Sequence, residues 1–464
     1  MFAQKEGNIW YFGKNAGIDF NSGAPVALTD GALNTSEGCA SICDAQGNLL
    51  FYTDGSSIWS QNHQVMPNGY ALFGHASSTQ SAIIVKKPGL NSIYLVFTIT
   101  QLAGIHGLCY SEVDMSLNQG WGDVNSIKNI NLVSHACEKI TAIKHKNNVD
   151  YWIITKLFNS DAFYSYLLSE TGVNPIPVQS NVGITVADDF HFHSIGYLRA
   201  SPDGKRIACA NQGIFTVELF DFDKTTGYLN NPISLNNVNS MGIYGVEFSP
   251  NNKLLYVSEK NNIIQYEVTA GSAAAILNSR KKIGSDLAPL GAIQLGPDKR
   301  IYIARGLRDS LGVINEPDLL GNACNYVHNG FYLAGKKSTI GLPTFTNSVY
   351  DFTPNDETVP LYDNRPMNYI LPEATAEVDF EMPNIFTPNG DGSNDLFIPA
   401  KSKGITEMHT LIYNRWGGQV FETKNLMIEW DGKDLADGTY FWVILYTDVN
   451  GEQKTLNGHL TLVR

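Results

Sequence analysis

Long apolar runs are missing from this sequence: its 464 residues hold no stretch of eighteen or more, so no helix is expected to span a membrane. Concentrated basic charge is missing too. The formal net charge is −13 and the triplet Arg280-Lys281-Lys282 stands alone, so the chain is repelled by phosphate backbones and nucleic-acid partners are not expected. The six cysteines, Cys39, Cys43, Cys109, Cys137, Cys209 and Cys324, form no C-x-x-C pair, which removes zinc-ribbon and thioredoxin readings. On one strand Cys39 and Cys43 would lie roughly 13 Å apart, too far to bridge each other. One or two long-range disulfides are the most to expect, with Cys209 a buried free thiol filling space between Ile207 and Ala210. No G-x-S-x-G elbow, HExxH or phosphate-cradling loop occurs, and no segment shows a helical 3.6-residue period.

What is present suits short strands and tight turns: 11% aromatic residues and 42 glycines, with 17% charged residues marking a globular chain. An apolar strand, a turn rich in Pro, Asp, Asn and Gly, and a second β-branched or aromatic strand recur as one unit. The clearest copies are YLRASPDGKRIACA (Tyr197 to Ala210), VEFSPNNKLLYVS (Val246 to Ser258) and AIQLGPDKRIYIAR (Ala292 to Arg305). Weaker ones begin at Ser41, Ala82 and Thr141. Third strands are expected at Ser57 to Gln61, Cys109 to Met115, Phe163 to Glu170, Phe215 to Asp223, Ile263 to Val268 and Leu311 to Glu316.

Six copies leave the ends over. Asn8 to Asn21 matches the second and third strands of the unit at Arg300 to Asn315, and Thr344 to Phe352 reads as a first strand without a follow-on. Joined, they make a composite seventh blade that removes the exposed edges of an open array. The expected fold is therefore all-β: a seven-bladed, WD40-like β-propeller over residues 1–353, closed by its N- and C-terminal strands. A Pro-rich linker follows over 354–378, with Pro354, Pro360, Pro366 and Pro372. Residues 379–464 carry about seven short strands and predict a small Ig-like β-sandwich.

In that last module five motifs occur in order: PNIFTPNGDGSNDLF (Pro383 to Phe397), YNRWGGQVF (Tyr413 to Phe421), WDGKD (Trp430 to Asp434), DGTYFWVI (Asp437 to Ile444) and GHLTLVR (Gly458 to Arg464). The module resembles the gliding-motility-associated, or type B, C-terminal sorting domain of the type IX secretion system of Bacteroidetes. The residues that carry the resemblance are Pro383, Phe386, Thr387, Pro388, Asn389, Gly390, Asp391, Gly392, Asn394, Asp395, Tyr413, Asn414, Arg415, Trp416, Gly417, Trp430, Asp431, Gly432, Asp437, Gly438 and Tyr440. Gly418 departs from it, standing where the family often has a charged residue. The resemblance implies export after removal of a signal peptide, of which Phe2-Ala3-Gln4 reads as a remnant. Its implied partners are the type IX translocon and the outer-membrane shuttle and attachment proteins, and its destination is the cell surface or the medium. Most motif residues, with Trp416, Trp430 and Trp442 among them, are expected to hold the module together rather than touch the translocon. The loop Asn389 to Asp395 offers oxygen ligands that suit calcium, yet lacks EF-hand spacing and a glutamate at position 12, and Asn-Gly and Asp-Gly are ordinary turns. No cofactor is expected.

In the propeller, superposing the repeats aligns Glu37, Thr79, Glu138, His193, Met241 and Ala288 at the entry to the innermost strands, polar in the first four blades and apolar in the next two. A lopsided polar mouth is a natural ligand site, although strand ends capped in water would look the same. Asp188, His191 and His193 extend the candidate site. His191 and His193 at i, i+2 would share one face of a strand, as a metal-binding HxH pair does, with solvated loop histidines as the plainer reading. Trp10, Trp59, Trp121 and Trp152 could stack on sugars or fill blade cores. Three functions fit: a binding or adhesion module for a glycan or protein, a secreted glycan hydrolase or lyase using carboxylates such as Glu37, Glu138, Asp188 and Asp189, or a structural part of the gliding or secretion apparatus.

Overall fold

The computed structural model describes residues 5–187, 191–235, 242–350 and, from 379 on, all but 390–393, 400, 404, 427, 429, 434 and 449–451. The chain divides into two compact units, Met1–Asp363 and Asn364–Arg464. The expected linker, 354–378, lies outside the described residues.

Among the described residues, the first unit holds sheets of three to five strands, and the strands of each follow one another in the chain with antiparallel pairing. Sheet one is Ile9–Phe12, Ala16–Asp19 and Val26–Leu28; sheet two is Ala40–Cys43, Leu49–Thr53 and Ile58–Ser60. Sheet three opens with Ala82–Lys86, Ile93–Ile99 and Leu108–Asp114, and sheet four with Ala136–Lys144, Tyr151–Leu157 and Ser160–Ser169. Sheet five is Leu198–Ala200, Arg206–Asn211, Thr216–Phe222 and Leu229–Ser234. Sheet six is Ile243–Phe248, Leu254–Glu259, Asn262–Glu267 and Lys281–Ser285, and sheet seven Leu290–Leu295, Ile301–Arg305, Ser310–Ile314 and Tyr326–Tyr332.

Burial falls off across each sheet, and the residues follow it. Ile243–Phe248 and Leu290–Leu295 are buried at every position, whereas Leu229–Ser234 and Tyr326–Tyr332 are mostly exposed. Continuous apolar runs therefore form first strands covered on both faces, and Asn-rich stretches form edges in water. Each repeat turn between first and second strand carries one left-handed residue: Gly47, Gly89, Asn148, Gly204, Asn252 and Lys299, with φ of 91°, 75°, 60°, 70°, 63° and 64°. Glycine and asparagine take that conformation readily; Lys299 does not, and accepts strain there. Ala273–Asn278 is the α-helix among the described residues, an alanine-rich stretch whose cap, Ser272, accepts from the backbone of Ala275 at 3.0 Å.

First strands meet their neighbours near their N-terminal ends. Gly38 N–H donates to Ser78 O, Tyr197 N–H to Tyr244 O and Ala292 N–H to Ile340 O. A side chain on Gly245 would run into Gly291, and one on Gly341 into Glu37. Thr344 to Phe352, expected as a first strand, is not one through Tyr350. Contact passes instead through Lys337 to Lys14 and, in parallel, Pro343 to Cys39, because Pro343 and the turn at 347–350 interrupt a ladder. Tyr350 still locks the ends together: its hydroxyl donates to Gly7 O at 2.7 Å beside Trp10, which packs on Phe20, Tyr302 and Phe345. The expected disulfides are absent. All six cysteines are free and buried, each in its own packing position, and burial raises their thiols.

The second unit carries a five-stranded sheet in the order Ile385–Phe386, Gln453–Leu462, Gly438–Asp448, Ile405–Tyr413, Gln419–Thr423, its first pairing parallel and the rest antiparallel. Asp379–Glu381 pairs separately with Lys401–Lys403. Trp430 centres the core, with Phe386 and Tyr440 at ring distances of 5.3 and 5.5 Å.

Candidate binding site at the ends of the first strands

Glu138 sits in the first strand of sheet four and is 1% exposed. One carboxylate oxygen accepts from Thr79 twice, from its N–H at 2.7 Å and its hydroxyl at 2.8 Å; the other accepts from Leu102 N–H at 2.7 Å. Leu102, held left-handed at φ 49°, turns its carbonyl to His191 Nδ1 at 2.7 Å. Glu138 thus straps sheet three, its loop and the turn before sheet five together. Its neighbour Lys139 is fully buried and donates to the carbonyls of Ser194, Ile195 and Gly196 at 2.8–3.1 Å, while burial lowers its pKa.

Glu37 lies beside this strap and is only half-buried. The Tyr244 hydroxyl donates to one of its oxygens at 2.9 Å and the Ser77 hydroxyl to the other at 3.4 Å. Burial and then the charge of Glu138 push its pKa up to about 7, against the pull of those two hydrogen bonds. No basic side chain among the described residues makes an ion pair with Glu37 or Glu138. The carboxyl of Glu37 can accept from a ligand donor or, half protonated near neutrality, donate to an acceptor.

Of the residues expected at this mouth, Glu37, Thr79, Glu138 and His191 come together. His193 does not: its Nδ1 bonds Ala187 O at 2.6 Å and its ring lies against Gly213. The HxH reading fails with it. His191 is left-handed at φ 62° and caps a 3-10 turn over Phe192–Ser194, so the pair never shares a strand face. Ala288 is buried, and Asp188, Asp189 and Met241 lie outside the described residues. Among the described residues no group of three or more His, Cys, Asp or Glu could hold a metal. Tyr244 completes the site and was not anticipated, because its partner Glu37 is 207 residues away. Trp10 and Trp152 are core, and Trp59 stacks on Tyr52.

The opposite ends of the same strands are closed. Arg199 Nε stands 3.4 Å from Glu247 and its NH2 donates to Gln294 at 2.8 Å, while Glu247 also accepts from Phe248 and Leu295 N–H. Phe345 to Tyr350 cover them, leaving a cavity of about 30 Å³, room for a water.

In the second unit several motif residues make contacts that hold the fold together. Gly432 (φ 62°) backs onto Phe386 and Leu462, where any side chain would collide. Arg464, in the last motif, ties the others down: its guanidinium reaches Gly432 O at 2.8 Å, Leu435 O at 2.7 Å and Asp437 at 3.1 Å. Tyr440 donates to Ala436 O, and Thr387 N–H to Asn394 O. Trp416 breaks the expectation of a core role. Asn414 accepts from the N–H of Trp416 and Gly418, and Gly417 at φ 77° completes a tight hairpin tip that leaves the indole 86% exposed. Trp430 and Trp442 are buried as expected, at 4% and 9% exposure. Pro383, Pro388, Asn389, Tyr413 and Arg415 lie at strand ends and turns, and Gly390, Asp391 and Gly392 lie outside the described residues, so the calcium reading has no described geometry.

Solved structures similar to this chain include a provisionally assigned 6-phosphogluconolactonase from Bacteroides uniformis, at 15% identity over 71% of this chain and 99% of that one, TM-score 0.44. A protein from Lactobacillus plantarum matches at 13% identity over 73% and 99%, TM-score 0.45. No curated protein matches the chain. Residues 380–462 match the family model described as the CHU_C type IX secretion signal domain. With its motifs folded around Trp430 and pinned by Arg464, the C-terminal module is a type IX secretion signal domain, and the protein that carries it is exported by that route to the cell surface or beyond.

Proposed function

We propose that the exported cargo is a binding protein, and that residues 1–353 form a seven-bladed β-propeller displaying a glycan- or protein-recognition site at its Glu37 mouth. Residues 354–378 would act as the spacer and 379–464 as an Ig-like sandwich, a reading supported by the Tyr440–Ala436 corner. The observation that carries binding over catalysis is the unequal state of the two carboxylates. Glu138 is committed to three donors of its own chain and is buried, whereas Glu37 is half-buried and open to a ligand. A hydrolase needs two working carboxyl groups on either side of a bond, and Glu138 is not free to be the second.

A glycan hydrolase remains as a second reading because Glu37, at about 7, has the pKa of a general acid. A glycan and surface-protein array probed with the full chain and with Glu37→Ala, followed by product analysis of any bound glycan, tests both. Binding lost in Glu37→Ala without turnover is expected. Product release would move the assignment to the hydrolase, and binding indifferent to Glu37 would remove the mouth as the site.

A further inference from the structure

A cavity of about 350 Å³ opens between the first turn of sheet two, the first two strands of sheet three and residues 346–349, at the turn ends of the strands and so opposite the Glu37 mouth. That volume is within the range of small-molecule sites. Five apolar side chains, Ile42, Leu50, Ile84, Met115 and Val349, form one part of its wall. The other part is polar, and much of its hydrogen-bonding capacity is unspent. The Gln46 amide and the Thr346 and Tyr94 hydroxyls have no hydrogen-bond partner among the described residues, and Asn91 uses only its oxygen, for Lys86 at 3.5 Å. All four can be reached: Gln46 and Asn91 are exposed, and the Thr346 and Tyr94 oxygens are not shut off from solvent. Burial, then the charges of Glu6 and Asp44, push the Tyr94 pKa up to about 12, so its hydroxyl stays protonated and can donate as well as accept.

These groups are held in place by the fold. Thr346 and Ser348 flank Asn347, whose backbone N–H donates to Ala142 O at 3.0 Å, whose amide donates to Pro202 O at 3.3 Å and whose side-chain oxygen accepts from Lys144 N–H at 3.1 Å. Gln46 sits in a turn closed by the Asp44 carboxylate, which accepts from the N–H groups of Gln46 and Asn48 at 2.9 Å, and Tyr94 packs edge-on to Phe51. No charge is left over to select an ion. Lys86 opposes Asp44 and Glu6, Asp44 is spent on its own turn, and Glu6 keeps one oxygen out of reach of solvent. A wholly apolar ligand would strand the free amides and hydroxyls. A neutral sugar matches both parts of the wall: its C–H faces meet the alkyl groups and the rings of Tyr94 and Tyr151, and its hydroxyls, each a donor and an acceptor, meet the unspent polar groups.

We propose that this cavity is a second binding site, and that it takes a neutral sugar. The probes are cellobiose, maltose and lactose, titrated calorimetrically into the full chain, with cyclohexylmethanol as the apolar-ring control and cellobiouronate as the anionic one. Saturable one-to-one binding of at least one disaccharide is expected, about tenfold or more tighter than either control. Tyr94→Phe and Thr346→Val each remove one free hydroxyl with little change of shape, and together should weaken that sugar about tenfold or more. Asn91→Trp, at the exposed rim, should block it. No binding of any of the three, a control bound as tightly as the sugar, or sugar binding unchanged in a Tyr94→Phe, Thr346→Val protein of wild-type melting temperature would each overturn the proposal. Sugar binding lost in Glu37→Ala but kept in Asn91→Trp would assign the sugar to the mouth and overturn it as well.

Discussion

The two ends of the first strands treat buried glutamates in opposite ways. At one end Glu247 has Arg199, two backbone donors and a cover of aromatic residues; at the other Glu37 has two hydroxyls, a second carboxylate nearby and open solvent. Burial raises the pKa of both, but only Glu247 meets a cation that opposes it. A compensated and sealed charge is a fixture of the fold, whereas an uncompensated one at the surface is kept at a cost in stability.

The comparison is broken most directly at Arg199. Arg199→Met leaves Glu247 buried without its cation and should destabilise the first unit by about 3–5 kcal/mol in urea unfolding, with Glu247→Gln in the same chain recovering most of the loss. Next comes the strap. Glu138→Ala strands the N–H groups of Thr79 and Leu102 and should cost about 2–4 kcal/mol, with faster amide exchange at Leu102.

Glu37→Gln sharpens the contrast by reversing sign. A carboxyl near 7 in the folded protein and near 4.5 unfolded takes up a proton on folding between those values, so wild-type stability falls as pH rises from about 4.5 to 7 and stays low above. The variant should therefore gain about 1–2 kcal/mol over wild type at pH 8, allowing for partial exposure, and nothing at pH 4. Thermal melts at the two pH values decide it.

The smallest effect on stability belongs to the sorting module, where sealed and open side chains again part company. Trp416→Ala should change stability by less than about 0.5 kcal/mol, in contrast to Trp430 in the core. It should nonetheless reduce export of a periplasmic fluorescent reporter fused to residues 353–464. Undiminished export would return Trp416 to the list of bystanders.

Much of the architecture was legible in advance because it is written locally. Alternation and turn chemistry within some 15 residues located the third strands, and the six repeat turns each hold a left-handed residue where they were expected. Thr344 to Phe352 misled because an apolar stretch reads as a strand until Pro343 and the turn at 347–350 are placed against their neighbours. Of the two readings of the histidine pair, the plainer one, loop residues, is what the structure has: a period of two presumes a strand that the left-handed His191 precludes. Trp416 misled because composition favours burying tryptophan, while the Asn414 turn points this one outward.

By itself the sequence determined the all-β class, the repeat and the ordered motifs of the secretion signal, since each rests on residues close together in the chain. Tertiary structure alone decided what each charged group meets, since the partners lie far apart: Tyr244 donates to Glu37 across 207 residues and Arg199 to Gln294 across 95. Desolvation and pairing act through space, and so the difference between Glu37 and Glu247 exists only in the folded protein.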